Sequence, residues 1–335
     1  MNEMSFEMTI AIQAALMASD LCRKVQQELT GEVSFIKNDR SPVTIADYGS
    51  QAIICKLISD RFPEDVIVAE EDSRELRKPA NARILDQVTR YVNGIIPDSS
   101  PVEVCDWIDV STQYPKERFW AVDPIDGTKG FLRGDQYAVA LALVEEGVVK
   151  LGLLACPNLH VDIDYPDGPR GCLFLAVRGK GAVQLDRWGK HKTVLSVSQI
   201  NDPSEAFFTE SVEMDHADHE LHERVARQLK ITRPPLRVDS QVKYGIVARG
   251  EAVLYLRIPS PSERTYKEKV WDHAAGMIIT EEAGGKVTDA FGKSLDFSCG
   301  VKMENNYGIV VSNGILHDAV LKALHPLPGK PETES

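Results

Sequence analysis

Residues Phe119-Trp120-Ala121-Val122 form an uninterrupted apolar run that reads as a buried strand. Asp123-Pro124-Ile125-Asp126-Gly127-Thr128-Lys129-Gly130-Phe131 follows at once. Pro124 has a fixed φ and no amide hydrogen, so a central strand cannot continue through it and the chain must turn. Any fold of this chain therefore throws two carboxylates out at a strand end. Asp123, Asp126 and the Ile125 carbonyl between them can converge on one point. A donor set made only of hard oxygens suits Mg²⁺ far better than zinc or copper. Gly127-Thr128 adds backbone N–H groups and a hydroxyl, a layout that can hold a phosphate and a water together. Taken alone, the pair is equally consistent with a polar turn.

The 335 residues suffice for one large or two moderate domains. Hydrophobic content of 43% and charged content of 26% are those of a soluble globular protein. The apolar runs are far too short for a spanning helix, so no membrane association is expected. Met1-Asn2-Glu3-Met4 is acidic and lacks a basic segment ahead of an apolar block. Neither a secretory signal nor an Arg/Ser-rich transit peptide is read there, and a cytoplasmic location is expected. A net charge of −12 disfavours general nucleic-acid binding, which needs a basic face, but permits a small anionic substrate, and no nucleic-acid partner is expected. A monomer is expected. The six cysteines are widely spaced with no C-x-x-C pair, which argues against zinc and disulfide frameworks. Cys156 and Cys172 lie in neighbouring strand-like segments, either as two buried thiols or as a redox-sensitive pair.

Apolar residues at Ala11, Ala14, Ala18, Leu21, Val25 and Leu29 predict a first helix. Thr44 and Asp47 have capping-box spacing ahead of a second helix carrying Ile54, Leu57, Ile58 and Phe62. A short strand at 66–69 ends in Glu70-Glu71, and a polar helix spans about 81–93. A loop then leads to the strand before Asp123. Hairpins are predicted for 137–144 with 148–156, and for 172–177 with 182–185. Strands at 236–238, 253–256 and 309–311 alternate with helices at 242–248, 271–283 and 315–324. The chain thus reads as an α+β domain over 1–195, with an antiparallel sheet carrying most metal ligands. An α/β domain over 196–335 follows. Residues 326–335 read as a disordered tail.

Beyond Asp123 and Asp126, Glu70 at a strand end and Asp272 at the start of a helix are the clearest further oxygen donors. Each alone reads as a solvated loop acid or a helix cap. Taken in order, Ser41-Pro42-Val43-Thr44…Asp47, Val68-Ala69-Glu70-Glu71-Asp72, Asp123–Phe131 and Trp271-Asp272-His273-Ala274-Ala275-Gly276 resemble the lithium-sensitive, Mg²⁺-dependent phosphatase superfamily. That superfamily includes inositol monophosphatases, inositol polyphosphate 1-phosphatases and fructose-1,6-bisphosphatases. The string 127–139, with Asp239–Tyr244 and Leu254–Arg257, is similar to the plant and fungal 3′(2′),5′-bisphosphate nucleotidase branch.

The resemblance implies a layered αβαβα sandwich and two or three Mg²⁺ ions per site. It implies Glu70, Asp123, the Ile125 carbonyl, Asp126 and Asp272 as metal ligands, with Glu71 adjacent. Asp47 and Thr128 would orient and deprotonate the attacking water. Gly127, Thr128, His216, Ser240, Lys243 and Arg257 would hold a bisphosphorylated nucleotide. The implied reaction is hydrolysis of the 3′(2′)-phosphate of adenosine 3′(2′),5′-bisphosphate to AMP, and also of 3′-phosphoadenosine 5′-phosphosulfate, with lithium inhibition. Inositol polyphosphate 1-phosphatase activity and a non-catalytic phosphonucleotide sensor are the competing readings. The chemistry suits the residue types: clustered divalent ions offset the charge of a phosphate dianion, and distant cations such as Lys243 and Arg257 suit a second phosphate.

Overall fold

The computed structural model describes residues 5–28, 34–36, 42–162, 165, 167–212, 219–260 and 265–325. The chain opens with α1 (Ser5–Gln27), the short pair β1 (Ser34–Ile36) and β2 (Pro42–Thr44), and α2 (Ile45–Arg61). Next come β3 (Val66–Ala69), α3 (Ala82–Asn93), α4 (Pro101–Ile108), β4 (Arg118–Asp126) and α5 (Thr128–Arg133). Four antiparallel-linked strands follow: β5 (Ala138–Glu145), β6 (Val148–His160), β7 (Arg170–Val177) and β8 (Ala182–Asp186), with β9 (Thr193–Val194) at the edge. Strands β3 to β9 form one seven-stranded sheet in sequence order.

A second sheet of five strands has the order β11-β10-β12-β14-β13. Its elements are β10 (Phe208–Glu210), α6 (His219–Leu229), β11 (Leu236–Arg237), α7 (Val242–Ala248) and β12 (Leu254–Arg257). They continue with α8 (Ala274–Glu282), β13 (Lys286–Thr288), β14 (Ile309–Ser312) and α9 (His317–Leu324).

Side-chain alternation makes these elements into layers. In the large sheet Val139, Leu141, Leu143, Leu151 and Leu153 pack on the helices of the first layer. Ala138, Ala140, Ala142, Leu154 and Phe174 face the other way, onto α7 and α8. In the small sheet Tyr255, Ile309 and Val311 meet that same helical layer, while Leu254, Leu256 and Val310 cover α6 and α9. Five layers result, helix–sheet–helix–sheet–helix, as the sequence resemblance implies. The central helices lie close because the sheet face beneath them is small. A Cβ added to Gly152 would sit 2.3 Å from Ile278 Cγ2, and one on Gly276 would sit 2.3 Å from the Tyr244 ring.

Two expectations are corrected. The first sheet is mixed, because β3 runs parallel to β4; a crossover of two helices, α3 and α4, joins them. The helix expected over 271–283 starts later. Val270–Asp272 is a 3₁₀ turn, His273 departs from helical geometry (φ −136°), and α8 begins at Ala274. Asp272 is therefore at the end of a turn rather than the start of a helix. Cys156 and Cys172 are register partners on β6 and β7, and each is a free, buried thiol that burial pushes up, Cys172 to about 12. No helix among the described residues is long and apolar enough to cross a membrane. The expected disordered tail, residues 326–335, lies outside the described residues.

One buried histidine makes the fold acid-sensitive. His317 is fully buried, with Nδ1 2.8 Å from Ser312 Oγ and Nε2 2.9 Å from Thr288 Oγ1. The Thr288 hydroxyl donates to the Asp289 carbonyl, so it accepts from His317 Nε2–H; Ser312 Oγ accepts the Gly314 amide and has its own proton to give Nδ1, a pattern that suits the neutral ring. Burial, aided by the Lys286 charge and opposed by Asp318, brings the imidazole down to about 4. The unfolded chain takes up its proton near pH ~6.5. The stabilising contribution is therefore complete above that pH and is lost as pH falls through the window down to about 4. Urea unfolding should show the stability gap between wild type and His317→Gln narrowing by roughly 2–3 kcal/mol between pH ~7.5 and ~4.5. An unchanged gap would remove His317 from the account.

Candidate active site

The end of β4 determines how the two aspartates face. Residues three apart on a regular strand point to opposite sides. Here Asp123 pairs with Ala140 and Asp126 with Ala138, so three steps on β4 match two on β5. This bulge, which accommodates Pro124, brings Asp123 and Asp126 to the same face, toward the α7/α8 layer. The Ser50 hydroxyl donates to the Pro124 carbonyl at 2.9 Å, and the Ile125 amide donates to Asp123 Oδ1 at 3.2 Å. Because Ala69 on β3 pairs with Val122, Glu70 emerges beside Asp123. From the second sheet's side, the turn Val270–Asp272 brings Asp272 to the same cleft.

Asp47 and Thr128 meet across two elements. Thr44 caps α2, and its amide (2.8 Å) and its hydroxyl both donate to Asp47 Oδ2. Oδ1 receives the Thr128 hydroxyl at 3.3 Å, and the Ile125 carbonyl lies equally far from that hydroxyl. Gly127, immediately before Thr128, has φ +89°, and a Cβ there would lie 3.0 Å from Ser240 Cβ. Only glycine meets both demands. Ser240 itself is left-handed at φ 66°, and the following Gln241 amide donates to Asp126 Oδ2 at 2.6 Å. The two sheets are thus stitched together at the site.

The electrostatics are those of a cluster of acids. Burial pushes Asp123 well above the usual carboxylate range, and the charges of Glu70, Asp126, Asp272 and Asp47 add to this. Burial also raises Asp126, against the pull of Lys243, and raises Asp272, against that of Arg257. Carboxylates driven up by burial, with a carbonyl and a hydroxyl among them, are a hard-oxygen set that fits Mg²⁺. Glu70, Asp123, Ile125, Asp126 and Asp272 would hold such ions.

The cleft, of about 1260 Å³, also takes in Glu71, Gly127, Thr128, Ser240, Lys243 and Arg257. Lys243 is 2% exposed; its Nζ donates to the Val238 carbonyl at 3.0 Å and lies over the Tyr255 ring. Burial lowers it to about 8, with Asp126 opposing. His216 lies outside the described residues.

Several residues at the site carry no motif. Gln51 clamps the Glu71 backbone on both sides, at 2.6 and 2.9 Å. Gln241 bridges the Trp271 carbonyl (2.8 Å) and the Gly276 amide (3.1 Å), which places the turn bearing Asp272. Arg133 pairs with Asp239, which lines the cleft. Glu268 bonds Arg257 and His273, and against the rise that burial alone would cause, the Arg257 charge and the hydrogen bond from His273 bring it down to about 2. Glu268, Asp272 and His273 offer ligand atoms within 4.8 Å of one another. The Glu268 carboxylate is already occupied by Arg257 and His273, so this trio is not a second metal site.

Comparisons with known proteins agree with this geometry. The family model described as "Inositol monophosphatase family" matches residues 3–328. A rice (Oryza sativa) protein named 3′(2′),5′-bisphosphate nucleotidase is 43% identical over 96% of this chain and 94% of its own. Proteins of the same name from Dictyostelium discoideum (41%, covering 94% and 95%) and Schizosaccharomyces pombe (39%, covering 98% of each) are also similar. Among solved structures, a Thermotoga maritima IMPase superposes with a TM-score of 0.64 at 23% identity, covering 95% and 96% of the two chains. An inositol monophosphatase from Anabaena gives 0.63 at 21%, covering 98% of each. With a family model spanning nearly the whole chain and relatives above two-fifths identity, the chain belongs to the inositol monophosphatase family.

Proposed function

We propose that this protein is a Mg²⁺-dependent phosphoric monoester hydrolase. It removes the 3′(2′)-phosphate of adenosine 3′(2′),5′-bisphosphate to leave AMP and phosphate, and acts also on 3′-phosphoadenosine 5′-phosphosulfate. One observation carries the reading. Four carboxylates, Glu70, Asp123, Asp126 and Asp272, share a cleft with two cations, Lys243 and Arg257, and with Thr128, whose hydroxyl bonds the buried Asp47 behind it. Similarity to proteins named 3′(2′),5′-bisphosphate nucleotidase supports the choice of substrate.

Bound Mg²⁺ ions would offset the phosphate charge and acidify water. The protein's own groups do the rest. The Gly127 and Thr128 amides cradle the phosphate. The Thr128 hydroxyl accepts a proton from the attacking water as it passes its own to Asp47 Oδ1. Water oxygen bonds to phosphorus, the P–O bond to the ribose breaks, and the ribose oxygen leaves protonated by solvent. Lys243 and Arg257 hold the second phosphate, which sets the substrate's direction in the cleft. Lithium in place of Mg²⁺ among these carboxylates would supply too little charge, so inhibition by lithium is expected.

The test is phosphate release from adenosine 3′,5′-bisphosphate with and without Mg²⁺, beside inositol 1,4-bisphosphate. Turnover that needs Mg²⁺ and favours the nucleotide is expected. A strong inositide preference would overturn the substrate assignment, and binding without turnover would make the protein a sensor.

A further inference from the structure

Arg257 closes β12 with two carboxylates in reach. Glu268 takes its Nε, at 3.0 Å through Oε1 and 2.9 Å through Oε2. Asp272 Oδ2 lies 3.9 Å from Nη2, close enough to attract but not hydrogen-bonded. The guanidinium thus sits between a buried acid with no metal role and a metal-ligand candidate. Its hydrogen bonds go to Glu268 and not to Asp272.

The anchoring of Glu268 is extensive. Glu268 is 5% exposed, and its backbone carbonyl accepts the Met303 amide at 2.9 Å. His273 Nε2 meets Glu268 Oε2 at 2.9 Å, and His273 Nδ1 meets the Tyr244 hydroxyl at 2.8 Å. A carboxylate can only accept, so Nε2 carries the proton and Nδ1 accepts from Tyr244. Every donor in the chain Tyr244–His273–Glu268–Arg257 is therefore directed toward the carboxylate. Tyr244 cannot swing away, because its ring packs on the bare Cα of Gly276. His273 follows Asp272 in sequence, so the same chain fixes the turn bearing that ligand.

We propose that Glu268 is a positioning residue: by engaging Arg257 side-on it leaves the outer edge of the guanidinium for the substrate's second phosphate and keeps Asp272 available to metal. This rests on the assignment of Arg257 to the second phosphate. Without Glu268, the nearest anion for Arg257 is Asp272, and both functions suffer together. A merely structural glutamate would not couple them.

The test compares wild type, Glu268→Gln, Arg257→Ala and the double variant. One arm measures the ratio of KM for adenosine 3′,5′-bisphosphate to KM for adenosine 3′-monophosphate. The other titrates Mg²⁺ into the substrate-free protein by calorimetry. Glu268→Gln should raise the KM ratio about tenfold and weaken Mg²⁺ binding several-fold, the scale of one lost charged hydrogen bond. In the Arg257→Ala background it should do neither. Glu268→Asp, which keeps the charge for His273 but draws back from Arg257, should shift both readouts in the same direction and serves if Glu268→Gln does not fold. If Arg257→Ala raises the ratio while both Glu268 variants leave ratio and Mg²⁺ affinity at wild-type values, the positioning role is wrong. If Arg257→Ala leaves the ratio unchanged, the second-phosphate assignment fails and the proposal falls with it.

Discussion

Asp123→Asn should all but abolish phosphate release while making the metal-free protein harder to melt. Both effects have one source. Asp123 is 2% exposed, and burial together with the charges of Glu70, Asp126, Asp272 and Asp47 makes its ionised form costly. Asparagine keeps the oxygen that accepts from the Ile125 amide but removes the charge. Relief of that repulsion should stabilise the protein in chelator by about 1–3 kcal/mol, as at other sites held together for function rather than stability. With Mg²⁺ the order reverses. A ligand that binds only the folded state adds about 2.7 kcal/mol at 100 times its Kd, and the variant should forgo most of that gain. kcat/KM should fall about 10³-fold, the several kcal/mol that charge compensation supplies. Melting curves in chelator and in Mg²⁺, beside phosphate release, check all three. A variant that melts like wild type in both media and turns over normally would remove Asp123 from the metal site.

The long elements were legible because their sequences carry more than one period of side-chain alternation. β5 alternates valine and leucine toward the first helical layer with alanine toward α8, β6 runs in the same two-residue rhythm, and Glu146 and Gly147 take the left-handed conformations (φ 52° and 72°) of a tight hairpin turn. The short strands β3, β11, β12 and β14 were still readable from their apolar runs, whereas the three-residue strands β10 and β13 hold too little pattern to stand out from loops. The helix α4 is different, since its signal was present. Ser100, Pro101 and Glu103 form a capping box with proline at the first helical position, inside a stretch expected to be loop. The parallel β3–β4 pairing also follows from α4, because a two-helix crossover lets the chain return in the same direction.

At the site, the acids were readable from motifs, but what aims them was not. Two aspartates three apart gain a common face only through the bulge at Pro124, which depends on pairing with Ala138 and Ala140. Gln51, Gln241 and Glu268 are ordinary polar residues in sequence. Each becomes a site residue only because folding buries it against backbone or a cation from a remote segment. Tertiary burial turns a generic polar side chain into a positioning device, and no local spacing encodes that.

Thr128→Ala should separate proton transfer from metal binding. The Asp47 carboxylate is divided between two tasks. Oδ2 is taken by the Thr44 amide and hydroxyl at the cap of α2, so a proton from the reaction can enter only at Oδ1. The Thr128 hydroxyl is the group that reaches Oδ1 from the cleft, at 3.3 Å, a long contact of the kind that tightens once substrate is bound. Alanine breaks that path without touching a carboxylate. kcat should drop by about 10²–10⁴-fold, the usual contribution of a positioned acid–base group. The Mg²⁺ titration in the absence of substrate should not move, which distinguishes this variant from Asp123→Asn. Thr128→Ser restores the hydroxyl and should recover most of kcat, whereas Thr128→Val, equal in shape, should not. If alanine kept wild-type kcat, the proton would have to leave the water by a route that avoids Asp47, and the cap at Thr44 would be a helix terminus and nothing more.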